Sequence, residues 1–119
     1  MAPEHRVGEV LDPEAIANLR SLGDNDLVRE ISALFRTDSV KTVAEIREAI
    51  ASGDSETAGK IAHRLKSSSV YLGARFVTDL ASKIERAGKE GDLEYCKQTI
   101  SALEREVLRA IAAVSKLNV

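Results

Sequence analysis

"LEYCKQTISALEREVLRAIAAVSKL", residues 93–117, is the stretch that decides the fold. Leu93, Cys96, Ile100, Leu103, Val107, Ala110, Val114 and Leu117 follow one another in steps of three and four. That spacing lines them up on one stripe of an α-helix and leaves the charged residues behind it. A long helix with one apolar stripe needs other elements to bury it against. Cys96 sits within the stripe and reads as a small buried hydrophobe, not a reactive thiol.

The rest of the chain supplies those elements. Val77, Leu80, Ala81, Ile84 and Ala87 predict a helix over 74–89. Ala58, Ile61, Ala62, Leu65 and Leu72, with the small Ser69 in line, predict another over 55–72. Val40, Val43, Ile46 and Ile50 continue the pattern over 38–52, and Leu27, Val28, Ile31, Leu34 and Phe35 carry it further upstream. Thr37-Asp38-Ser39 separates the last two groups; either Asp38 caps a new helix or one helix kinks there. Asp12-Pro13 is an N-cap followed by proline at the first helical position. It opens a short helix that uses Ile16 and Leu19 and ends near Gly23. Gly23-Asp24, Gly53-Asp54 and Gly91-Asp92 punctuate the chain: glycine ends one helix and aspartate caps the next.

No strand pattern competes. The expected fold is all-α, an antiparallel up-down-up-down four-helix bundle with one or two short N-terminal helices capping one end. Residues 1–11 are expected to form a flexible lead-in to a single domain over 12–119, and the bundle is expected to be a monomer. The lead-in with Met1 favours a free-standing protein over an excised domain.

Composition narrows the function. A 119-residue chain holds one core, and a net charge of −2 offers no basic field for nucleic acid or an anionic membrane surface. One cysteine allows neither a disulfide framework nor a multi-cysteine zinc site. His5 and His63 are the only histidines, and neither has a ligand-spaced partner, so no metal site is expected. No apolar run is long enough to cross a bilayer and the N-terminus lacks a signal-peptide core, which makes the cytoplasm the expected compartment.

One segment remains, "AHRLKSSSVYLGA", residues 62–74. At about 100° per residue, His63 points about 150° away from the core direction of its helix. Gly59 on the flank and Ser67 one turn on leave little bulk around the ring. Lys66 lies within one turn, and Val70 points outward on the same face. An exposed histidine on a helix is ordinarily just a solvated residue. An imidazole is nevertheless a nucleophile near neutral pH, and an ammonium beside it suits an incoming anion. That pairing fits acceptance of a phosphoryl group. No glycine-rich phosphate loop and no nucleophile–base pair accompanies it, so catalysis must come from elsewhere.

This segment resembles the motif of histidine-containing phosphotransfer (HPt) domains, close to A-H-x-L-K-G-S-S-x-x-L-G-A. Ala62, His63, Leu65, Lys66, Ser68, Ser69, Leu72, Gly73 and Ala74 match it, and "LVREISALF" and "LASKIERAGKEGD" on either side are also similar to the family. The resemblance implies a phosphorelay intermediate in two-component signal transduction, not an enzyme. His63 would accept the phosphoryl group from the aspartate of a receiver domain and pass it to another receiver. Lys66 would stabilise the phosphate. The chain would need no cofactor of its own, the receiver supplying Mg²⁺. Its expected partners are response-regulator receivers or a hybrid sensor histidine kinase, docking over Gly59, Arg64, Ser67, Val70 and Phe76. Ser67 stands where the family has glycine; its hydroxyl is a candidate donor to the phosphate, and it narrows the fit of a partner. That departure keeps a second reading open, a module that binds receivers without phosphotransfer. A sensor-kinase dimerisation region is disfavoured: Arg64 replaces the acidic residue after the histidine, and no proline follows.

Overall fold

The computed structural model describes residues 10–117. Four α-helices fill it: α1 (Pro13–Ala51), α2 (Ser55–Tyr71), α3 (Arg75–Lys89) and α4 (Leu93–Ser115). α1 packs on α2 and α4, and α3 on the same two, while α2 and α4 face each other across the diagonal. This is the expected antiparallel four-helix bundle. The stripe that opened the reading is its spine: Cys96, Ile100, Leu103, Val107, Ala110 and Val114 are all buried.

α1 breaks near Gly23 as expected and departs from expectation at Asp24 and at Thr37-Asp38-Ser39. Its helical dihedrals fail at Gly23 (φ −154°, ψ 27°) and Asp24 (φ 57°, ψ −161°), so a short arm, 13–22, precedes the long bundle helix. Here aspartate, not glycine, takes the positive φ. The helix then runs without interruption through Thr37-Asp38-Ser39, and the first bundle helix is far longer than 38–52. The hydroxyls of Thr37, Ser39 and Thr42 donate back to the carbonyls of Ala33, Phe35 and Asp38, which seats these residues within a helix instead of at its cap. One continuous face results: Val28, Ser32, Phe35, Ser39, Val43, Ile46 and Ile50. Leu34 and Val40, which the sequence pattern puts with the core, lie off this face and are exposed.

The arm closes one end of the bundle. Asp12 caps it by accepting from the Glu14 amide at 2.9 Å. The Asp12 amide donates to the Gly73 carbonyl at 2.9 Å, tying the arm to the α2–α3 turn. Gly73 has φ +65°, and a Cβ there would meet the Asp12 amide nitrogen at 2.7 Å. Only glycine suits both demands. Val10 and Leu11 are buried, so the core begins inside the stretch expected to be a loose lead-in. The remainder of that stretch, with His5, lies outside the described residues. At the other two helix junctions Asp54 and Asp92 cap as expected, accepting from the amides of Thr57 and Tyr95. No helix among the described residues is long and apolar enough to cross a membrane.

Candidate functional site

α2 and α3 approach each other unusually closely at Gly59 and Gly88. A Cβ on Gly88 would lie 2.8 Å from the Cα and N of Gly59, with the Ser55 carbonyl oxygen closer still. A Cβ on Gly59 would lie 3.0 Å from the Glu85 carbonyl oxygen. Gly59 therefore does not keep space open beside the imidazole, as its place in the sequence suggests. It is buried, and it lets the two helix backbones meet.

One turn from that crossing on each helix stand the polar residues of the site. His63 projects from α2 with its side chain 56% exposed. Its Nδ1 lies 2.7 Å from Oε2 of Glu85, which reaches over from α3. Lys66 Nζ donates to the other carboxylate oxygen, Oε1, also at 2.7 Å. Lys89 Nζ, one turn beyond Glu85, lies 3.5 Å from Oε2. The Glu85 side chain is only 11% exposed. The Lys66 hydrogen bond pulls its carboxyl down to about 2, against the opposing effect of burial and with further help from His63. An ionised carboxylate only accepts hydrogen bonds, so Nδ1 carries the imidazole proton and the lone pair resides on Nε2. Nε2 takes no hydrogen bond from the described residues.

The sequence reading gives Glu85 and Lys89 no role of their own. A signal for Glu85 exists: Ala81, Glu85 and Gly88 follow one another in steps of four and three, a carboxylate placed between two small buried residues. Such a position is costly for a charge unless partners await it.

The other predicted residues separate. Ser67 is exposed on the His63 face, but its hydroxyl donates to the His63 carbonyl at 3.1 Å instead of pointing outward. Ser68 and Ser69 likewise donate to Leu65 and Lys66 carbonyls. Arg64 turns toward α1, 3.9 Å from Glu45, in a shallow groove with Lys41 and Thr42. Val70 is exposed two turns past His63, while the exposed Tyr71 and Leu34 line a separate apolar groove with Ile31 and Phe35. Phe76 is half-buried near the start of α3, about 14 Å along the helix axis from Glu85. Among the described residues no three His, Cys, Asp or Glu side chains gather around a point that a metal ion could occupy.

Comparison with known proteins agrees with this architecture. The family model "Hpt domain" matches residues 30–114. Among solved structures the chain is similar to histidine-containing phosphotransfer protein B (HptB) from Pseudomonas aeruginosa PAO1, with a TM-score of 0.84. The identity is 21%, over 90% of this chain and 92% of that one, a likeness of fold. No curated protein matches the sequence. The family match spans the bundle helices and the whole His63–Lys66–Glu85–Lys89 cluster, and the chain belongs to the Hpt domain family, the phosphotransfer carriers of phosphorelays.

Proposed function

We propose that His63 Nε2 is the phosphoacceptor, taking the group from a receiver-domain aspartyl phosphate and passing it to a second receiver. The observation that carries this reading is the Nδ1–Glu85 contact of 2.7 Å. It fixes the tautomer, so the nucleophilic lone pair is on the ring nitrogen that has no protein partner among the described residues. The Nε2 lone pair attacks phosphorus, the P–O bond of the acyl phosphate breaks, and the aspartate carboxylate leaves with the bonding pair. The ring keeps its Nδ1 proton and becomes a phosphoimidazolium, whose positive charge Glu85 faces directly. Onward transfer reverses these bonds at another aspartate. In this reading Mg²⁺ and the remaining catalytic groups belong to the receiver. The same reading makes this a cytoplasmic monomer that meets its receivers by diffusion.

Intact mass, after mixing with a phosphorylated receiver and Mg²⁺, tests the proposal. The expected result is a gain of one acid-labile phosphate in the wild type and none in His63→Gln. Tight binding to receivers with no mass gain would overturn it and leave a receiver-binding module.

A further inference from the structure

Glu85 has more positive partners than a structural ion pair needs. His63 and Lys89 share Oε2, at 2.7 and 3.5 Å, while Lys66 holds Oε1 alone at 2.7 Å. The two lysines differ in kind. Lys66 is 30% exposed and makes the shorter contact. Lys89 is 74% exposed, at the C-terminal end of α3, on the longer contact. Because Lys89 Nζ and the imidazole share one oxygen as partner, they are neighbours.

We propose, resting on the phosphoacceptor reading above, that the two lysines divide the work: Lys66 is a positioning residue that holds Glu85 under the imidazole, and Lys89 supplies the counter-charge to a phosphoryl group on His63 Nε2. Phosphorylation turns the ring into a cation, so Glu85 is needed at Nδ1 most when the phosphoryl group is present. Moving Lys66 to the phosphate would remove a short charge-assisted bond from a nearly buried carboxylate. Moving Lys89 gives up a long contact of an exposed side chain, which is worth little, and its four-carbon stem is free to swing. The charges also close. Imidazolium, Lys66 and Lys89 carry three positive charges against three negative ones on Glu85 and a dianionic phosphoryl group.

Phosphoramidate, a small-molecule phosphoryl donor, makes the test independent of any receiver. The Nε2 lone pair attacks phosphorus, the P–N bond breaks, and the amine, already protonated, departs as ammonia. The midpoint of the second ionisation of the bound phosphoryl group is then read by ³¹P NMR. The charged groups facing it are His63 and Lys66 from α2 and Glu85 and Lys89 from α3. Removing a nearby cation in Lys89→Ala raises the midpoint by about half a unit, and Lys89→Arg restores it. Lys66→Ala moves the midpoint less than Lys89→Ala does and disturbs the imidazole ¹⁵N shifts of the unphosphorylated protein, which report the tautomer. An unmoved midpoint in Lys89→Ala, or one that moves as far or farther in Lys66→Ala, overturns the division of labour while the phosphoacceptor reading stands. A wild type that takes no phosphate at His63 from phosphoramidate or from any receiver overturns both.

Discussion

Replacing Glu85 with glutamine keeps the shape of the side chain and removes its charge. In the native protein the carboxyl titrates at about 2 instead of the ordinary 4.5. One unit corresponds to about 1.4 kcal/mol, so the full difference is about 3 kcal/mol. His63 and Lys89 are largely in water and their share is screened, which brings the net contribution to about 1–2 kcal/mol. Because the native value lies below the unfolded one, this stability is fully present above pH 4.5. It is lost as the pH falls toward 2, where both states are protonated. Urea denaturation followed by circular dichroism, at several pH values between 7 and 2, is the assay. Wild type is expected to exceed Glu85→Gln by about 1–2 kcal/mol at pH 7, with the gap closing between pH 4.5 and 2. A gap that stays constant down to pH 2, or no gap at neutral pH, would refute the account of Glu85 as the charge that gathers the cluster.

Asp24 holds a backbone conformation, φ 57° and ψ −161°, that favours glycine, so Asp24→Gly is expected to raise stability by about 1 kcal/mol, read as a higher melting temperature. Gly73→Ala meets both a left-handed φ and the Asp12 backbone, and a loss of at least about 2 kcal/mol in denaturant titrations is expected. Gly88→Ala places a methyl group against Gly59 and Ser55. Overpacking there outweighs the helix-propensity gain by about 1–2 kcal/mol and lengthens the His63–Glu85 contact, visible as a change in the imidazole ¹⁵N shifts.

The sequence was most legible where one physical demand acts alone. The α4 stripe answers only to burial, and every position between Cys96 and Val114 that the spacing assigns to the core is in it. Asp12-Pro13 answers only to helix capping, and it caps. Legibility fails where a residue type has two uses. Aspartate and the hydroxyl residues of Thr37-Asp38-Ser39 cap helices, but serine and threonine also bond back to the preceding turn, and the uninterrupted core face around them decides for the second use. Glycine can leave space or let backbones touch; Gly59 does the latter because Gly88, distant in sequence, stands opposite. His63 and Lys66 stand on one helix at a spacing that can be read directly. Glu85 and Lys89 come from another, and only the crossing of α2 on α3 brings them together.

Ser67 and Ser68, which follow Lys66, turn their hydroxyl protons onto their own helix backbone. Ser67, on the His63 face, therefore holds no outward-pointing donor that a visiting protein must strip of water or match with an acceptor. Immediately around Ser67, recognition rests on contour and on nearby apolar groups such as Val70. Contacts of that kind form with little desolvation cost and are relinquished quickly, since no buried polar pair has to be broken on departure. In the relay proposed above, where one receiver is met and left for another, short residence is the useful property, and the inward turn of Ser67 favours it.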